Sequence, residues 1–415
     1  MADSTRGTVR KQVGIDQVTV GMYLEDVSTE RGVLLISRDI SVQSETQIQA
    51  LRQRGVQKVT INVQKGKDVV GAPPVRATVR TAEPSASAAE NQKQAELAER
   101  EAAYYRELSK AHDVHAQTVE TATEVLRNIK NGRTFSTVNV RGVSESIAES
   151  IARNPDALVS LTQIKGFDEY TYTHSVNVGI LVTSLAAEMG YKGESLVEVS
   201  MGGLLHDIGK MRVPDSILKK PGKLTDLEFT TIKRHPEMGI EIIGDRPGIP
   251  DITRKMISQH HERFNGKGYP LGLAGARIHE AGLITAVADV FDALTSDRVY
   301  KEAWTPQRAL AMIFNGCDVD YSRRIAELFA RHMGIYPVGS FVRLVSGEMA
   351  VVVRVDRGHL LAPRVLVLFD KGGKRHAKPV EYDLLVKQNG PEGAQYRIEV
   401  SLDPKAYSIC VSDFL

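Results

Sequence analysis

Residues 204–210 read Leu204-Leu205-His206-Asp207-Ile208-Gly209-Lys210, an imidazole and a carboxylate set side by side in an apolar run. The flanking leucines and isoleucine keep helical spacing, so a buried helix is expected to present His206 and Asp207 from inside a core. A buried carboxylate needs a counter-charge, and a metal ion supplies one. Asp207 can bridge two cations, because each of its oxygens can take one.

Outward from this pair stand His174, His235, His260-His261 and Asp289, all of ligand type and all within one stretch of helical patterns. Ile252, Met256 and Ile257 form an apolar face that leads to His260 and His261. The loop that follows, Phe264-Asn265-Gly266-Lys267-Gly268-Tyr269-Pro270, has glycines that permit tight turns close to a ligand. Zinc, manganese and iron accept imidazole and carboxylate together, and two adjacent cations need about this many ligands. Singly, each histidine reads as a satisfied core or surface residue; the adjacent His-Asp and His-His pairs make the set a metal site. The remaining histidines, His112, His115, His279, His332, His359 and His376, have no such context.

The chain has 415 residues, 42% hydrophobic and 25% charged, which suits two or three globular domains. A net charge of +2 lacks the basic footprint of a nucleic-acid binder, and no nucleic acid is expected as a partner. Cys317 and Cys410 are too few for a disulfide scaffold. The polar start, MADSTRGTVRKQ, is unlike a signal peptide. The longest apolar stretch, Val176–Ala187, is short and broken by Asn177, Thr183 and Ser184. A cytoplasmic protein with no membrane insertion is the expectation.

The organisation reads as multidomain and mainly α. Residues 1–65 mix β-branched runs (Gln17–Val20, Gly32–Ile36, Lys58–Val63) with a polar helical stretch at Glu45–Arg54, a small α+β domain. Residues 66–92, rich in Pro, Ala and Ser, read as a linker. Residues 93–139 read as a long helix, either a dimer stalk or signalling helix or one more helix of the core. Residues 140–335 should be all-helical, with a capping box at Thr225–Glu228 and a start at Thr305-Pro306. Residues 336–415 turn to strands, Ser340–Val345, Met349–Val355, Arg364–Phe369 and Gln395–Leu402, a short β extension.

His206-Asp207 resembles the signature of the HD phosphohydrolases. His260-His261-Glu262 with Asn265-Gly266-Lys267-Gly268-Tyr269-Pro270 resembles the motif that names the HD-GYP cyclic di-GMP phosphodiesterases. The likeness runs from about Lys165 to Lys301. It implies an all-helical HD-type catalytic domain and, as metal ligands, His174, His206, Asp207, His235, His260, His261 and Asp289. It implies a catalytic and phosphate-binding role for Lys210, and substrate contacts from Tyr269, Arg298 and Lys301. Asp168 and Glu169 read either as acceptors for a ligating histidine or as ordinary helix-start acids. Tyr170 stands where three-metal relatives carry glutamate, so two metal ions, iron or manganese, and pGpG as main product are implied. Val299 replaces the proline usual in relatives. Residues 18–24 (VTVGMYL) resemble part of a small domain found ahead of some HD-GYP modules. Cyclic di-GMP is thus the implied partner, with a homodimer and signalling proteins as further partners. Two alternatives stay open: a cyclic di-GMP receptor without turnover, and an HD hydrolase of another nucleotide.

Overall fold

The computed structural model describes residues 10–29, 40–53, 56–63, 65–67, 86–163, 170–296, 302–355, 358–390 and 392–414. The chain divides into two compact units, Met1–Gln94 and Ala95–Leu415.

In the first unit, β1 (Arg10–Gly14), β2 (Tyr23–Thr29), β3 (Ile40–Ser41) and β4 (Val56–Asn62) form an antiparallel sheet of order β1-β4-β2-β3. Helix α1 (Glu45–Gln53) contributes Ile48 and Leu51 to a core shared with Val13, Leu24, Val59 and Ile61. This is the expected α+β class. The run Gln17–Val20 is not a strand. A 3₁₀ turn over Ile15–Gln17 and a turn from Thr19 to Met22 occupy it, with Gly21 at φ 98° supplying the reversal. The run Gly32–Ile36 lies outside the described residues.

Helix α2 (Ala86–Lys130) starts inside the stretch read as linker, residues 66–92, and continues past Ala95 into the second unit. From Ala111 onward it is a core helix: Ala111, Ala122, Val125 and Leu126 are buried with Val140, Val143 and Ile147 of α3 (Thr137–Arg153). Glu107 accepts from Arg153 Nε at 2.9 Å and from Ser150 Oγ at 3.0 Å, which fixes α2 against α3.

The helices that follow are α4 (Pro155–Leu161), α5 (Tyr170–Glu188), α6 (Glu194–Leu205), α7 (Asp215–Leu218), α8 (Asp226–Lys233) and α9 (His235–Ile243). After them come α10 (Asp251–Gln259), α11 (Glu280–Thr295), α12 (Pro306–Asn315) and α13 (Arg323–Met333). The capping box at Thr225 and the Thr305-Pro306 start are both present. Helix α5 runs through the middle, with Val176, Val178, Ile180, Leu181, Val182, Leu185 and Ala186 fully buried. Its polar interruptions are matched to partners: Asn177 donates to Asp292, Thr183 to Gly179 O, and Ser184 meets His332. No helix among the described residues is long and apolar enough to cross a membrane.

Two glycines of α6 set where the His-Asp pair falls. A Cβ on Gly203 would lie 2.7 Å from the Gly179 Cα of α5, and one on Gly202 would lie 2.1 Å from Met256 Sδ of α10. Helix α6 is thereby gripped on two sides one turn before the site.

The chain closes with β5 (Phe341–Leu344), β6 (Met349–Arg354), β7 (Arg364–Phe369), β8 (Arg375–Asp383), α14 (Leu384–Gln388) and β9 (Ile398–Leu402). The strands form an antiparallel sheet of order β8-β7-β6-β5-β9. The sequence reading missed β8. It is a largely exposed edge strand with no apolar alternation and a proline, Pro379, which edges tolerate.

Candidate metal centre

His206 and Asp207 are not inside a helix, as the spacing suggested. Helix α6 stops at Leu205, His206 is its C-cap, and Asp207 at φ −101° opens a 3₁₀ turn over Ile208–Arg212. Gly209 explains the break: a Cβ there would lie 1.9 Å from His235 O, so the turn passes directly against the start of α9.

Three histidines share one local device. His206 caps α6, His260 caps α10, and His235 follows the last turn of α8. Each turns Nδ1 back to a last-turn carbonyl of the preceding helix. His206 reaches Gly203 O at 2.7 Å, His235 reaches Ile232 O at 2.7 Å, and His260 reaches Ile257 O at 3.0 Å. Helix ends leave such carbonyls without intrahelical donors. A carbonyl cannot donate, so each Nδ1 carries the proton and each Nε2 presents a lone pair.

His174 is held differently, within α5. Its Nδ1 meets Asp292 Oδ2 at 2.8 Å, while Asn177, one turn on, donates to Asp292 Oδ1 at 3.0 Å. Asp289, one turn before Asp292 on α11, brings Oδ1 to 3.1 Å from His174 Nε2. A carboxylate that accepts the far N–H of a ligating imidazole fixes its tautomer and raises its basicity.

The lone pairs converge on Asp207. Oδ1 lies 3.3 Å from His235 Nε2 and 3.6 Å from His260 Nε2, and Oδ2 lies 3.3 Å from His206 Nε2 and 3.5 Å from His174 Nε2. Two groups able to hold an ion overlap at this residue: Asp207 with His235, His260 and His261, and Asp207 with His174 and His206. His206 Nε2 and Asp207 Oδ1 are buried without a hydrogen-bond partner among the described residues. His235 Nε2 and His260 Nε2 stand 3.1 Å apart with both protons turned away. Facing lone pairs repel, whereas the spacing suits two ligands of one cation. The donor set therefore fits divalent metal.

The electrostatics agree. Burial pushes the His260 imidazole down to about 4, so it stays neutral. Burial works to raise the Asp207 carboxyl, yet the Lys210 ammonium beside it holds it well below the usual carboxylate range. The Asp289 carboxyl likewise stays below the usual carboxylate range against burial.

Around this centre, the Lys210 ammonium pairs with Asp207 Oδ2, and Tyr269 stacks on His261 with ring centroids 4.7 Å apart. Burial pushes the Tyr269 hydroxyl up, so it stays protonated. Glu262, adjacent to His261, is buried and holds the loop: its carboxylate accepts from Leu271 N at 2.7 Å and Leu273 N at 2.9 Å. The structure thus gathers His174, His206, Asp207, His235, His260, His261, Asp289, Lys210 and Tyr269 in one place. Asp168, Glu169, Arg298, Val299 and Lys301 lie outside the described residues, as does the side chain of Tyr170. Sequence reasoning missed Asp292 and Asn177. The available signal was the i, i+3 spacing of Asp289 to Asp292 and of His174 to Asn177, which puts each pair on one helix face.

Two family models match the chain: a domain of unknown function (DUF3391) over residues 10–140 and an HD domain over residues 145–324. A cyclic di-GMP phosphodiesterase of Pseudomonas aeruginosa is 35% identical over 379 residues, covering 88% of this chain and 86% of its own. The chain belongs to the HD-GYP family of phosphodiesterases. Within that family, a cyclic di-GMP phosphodiesterase response regulator of Xanthomonas campestris is 46% identical over 31% of this chain and 35% of its own. A 3'3'-cGAMP-specific phosphodiesterase of Vibrio cholerae is 31% identical over 48% of this chain and 38% of its own. This HD-GYP protein is therefore a hydrolase of phosphodiesters with a buried His/Asp centre suited to divalent metal.

Proposed function

We propose that this HD-GYP phosphodiesterase hydrolyses cyclic di-GMP, mainly to pGpG, at a dinuclear centre of iron or manganese. The observation that carries the reading is the division of Asp207. One oxygen faces His235 and His260, the other faces His174 and His206. A carboxylate between two histidine sets is what a bridge between two cations requires.

In this reading His174, His206, Asp207, His235, His260, His261 and Asp289 hold the metals. Divalent cations held there would supply the charge that activates water and neutralises phosphate oxygens. The carbonyls of Gly203, Ile232 and Ile257 and the carboxylate of Asp292 keep each Nδ1 protonated, so the Nε2 lone pairs stay aimed inward. Lys210, 22% exposed beside Asp207, offers its ammonium to a phosphate oxygen as negative charge develops. Tyr269, on the loop held by Glu262, presents a protonated hydroxyl to the nucleotide. Arg298 and Lys301 are assigned to the phosphate and guanine path by resemblance. Arrest at pGpG rests on Tyr170, which offers no carboxylate for a third metal. A cytoplasmic homodimer belongs to the same proposal.

The test follows products by chromatography when protein purified without oxygen and loaded with iron or manganese meets cyclic di-GMP. A His206→Ala/Asp207→Ala variant serves as control. Metal-dependent pGpG formation that the variant lacks is expected. GMP from the first time points would overturn the product assignment, and bound nucleotide without turnover would favour a receptor. A second reading, a mixed guanine–adenine cyclic dinucleotide as substrate, is favoured by the Vibrio cholerae relative; its faster cleavage in the same assay would establish it.

A further inference from the structure

Helix α8 ends beside the metal centre, and its last residue, Lys233, has surroundings unlike those of the neighbouring cations. Lys220 is neutralised by Glu228 at 2.7 Å, and Arg234 lies 3.8 Å from Glu237. No carboxylate among the described residues pairs with Lys233. Its ammonium instead sits 4.9 Å from the Phe229 ring centroid and 6.0 Å from that of Tyr269. Tyr269 in turn stacks on His261, so rings and ammonium form a continuous path leading out from the metal ligands. Phe229 is 48% exposed, so part of its ring is open to solvent beside the ammonium.

The bland account is an i, i+4 contact in which the Lys233 stem covers Phe229. It accounts for Phe229 and leaves Tyr269 unexplained. An unpaired ammonium held between an exposed ring and a ring stacked on a metal ligand is the chemistry that recognises a purine. The ring takes the apolar face of the base, and the ammonium donates to acceptors on its edge. Guanine offers two acceptors there, O6 and N7, while adenine replaces O6 with an amino donor that an ammonium repels.

We propose that Lys233 and Phe229 form a guanine-recognising subsite, Lys233 being the specificity-determining residue for the nucleoside next to the scissile phosphate. The inference rests on the cyclic dinucleotide reading above and adds which base the site selects and which side chains select it.

The experiment compares KM and kcat of the metal-loaded enzyme on cyclic di-GMP and on its analogue with both guanines changed to 7-deazaguanine, in which N7 becomes C–H. The wild type is expected to show a KM about tenfold higher for the analogue, the scale of one lost base-edge contact. Lys233→Met is expected to raise KM for cyclic di-GMP about tenfold, with the loss in KM rather than kcat, and to show no further loss with the analogue. Phe229→Leu should raise KM by a smaller factor of about three. Metal content and melting temperature, measured alongside, report a variant that has merely lost its fold. Lys233→Met with an unchanged KM would overturn the proposal. So would a variant that still loses tenfold with the analogue, since the N7 contact would then lie elsewhere. A wild type that cleaves no cyclic di-GMP at all would instead bring down the substrate reading on which the subsite rests.

Discussion

Among the described residues, the helical unit buries histidines beside carboxylates in two places, and only one of them leaves ring nitrogens facing each other. In the outer place, His332 of α13 brings Nε2 to 2.8 Å from Ser184 Oγ and Nδ1 to 3.2 Å from Glu188 Oε2, both on α5. The carboxylate fixes the proton on Nδ1, and Nε2 accepts from the serine hydroxyl. Both nitrogens are satisfied by protein, and the group ties two helices together. In the inner place, each Nδ1 of His174, His206, His235 and His260 is satisfied in the same manner, while the Nε2 atoms crowd around Asp207. Burial and acidic neighbours are common to both. What separates a structural histidine from a ligand is where the second nitrogen points.

The sharpest way to break that contrast is to remove the shared carboxylate. Asp207→Ala should abolish metal binding and cut hydrolysis by on the order of a thousandfold, read by elemental analysis and turnover. Retained stoichiometric metal would show that the Nε2 atoms converge for another reason. Asp292→Ala should be milder. It removes the acceptor that His174 Nδ1 shares with Asn177 and leaves the ligands themselves in place, and metal affinity or activity should fall by about 10–100-fold. An unchanged affinity would mean that the packing of α5 suffices to aim the ring. Glu262→Gln is milder again. One of the two loop amides loses a carboxylate oxygen, which should cost about 1–3 kcal/mol of stability in denaturant unfolding. It should also raise KM a few-fold while metal content holds. A loss of metal would place Glu262 closer to the centre than its bonds to Leu271 and Leu273 indicate.

The same contrast marks how far the sequence could be read. The constellation around Asp207 was legible because adjacent His-Asp and His-His pairs are rare in apolar runs. The helical class followed from apolar spacing and from caps such as Thr225 and Thr305. What escaped were consequences of tertiary contact. The break after Leu205 depends on Gly209 meeting His235 O, a contact 26 residues apart in the chain that no local pattern announces. Asp292 was passed over because its role exists only once α5 lies against α11. Strand β8 was missed because edge pairing with β7 replaces the apolar alternation by which strands are recognised. His332 has no sequence context at all. Its partners, 144 and 148 residues away, are the last residue of an apolar helix and a polar interruption within it.

His332→Leu is the smallest perturbation of the metal centre and the one that tests the contrast from the other side. Leucine fills much of the space but takes away the ring nitrogen that the buried Ser184 hydroxyl meets. The expected cost is about 1–3 kcal/mol of unfolding free energy. The pair Ser184→Ala/His332→Leu should recover part of that loss, because the hydroxyl left unmatched is removed with the ring. Metal content and the KM for nucleotide should stay at wild-type values in both variants, since Ser184 and His174 lie almost three turns apart on α5 and face different helices. If instead His332→Leu lowers metal occupancy, the two buried histidine places are coupled through α5. The orientation of His174 would then depend on α13 as well as on Asp292, and the ligand set could no longer be treated as fixed by its own neighbours.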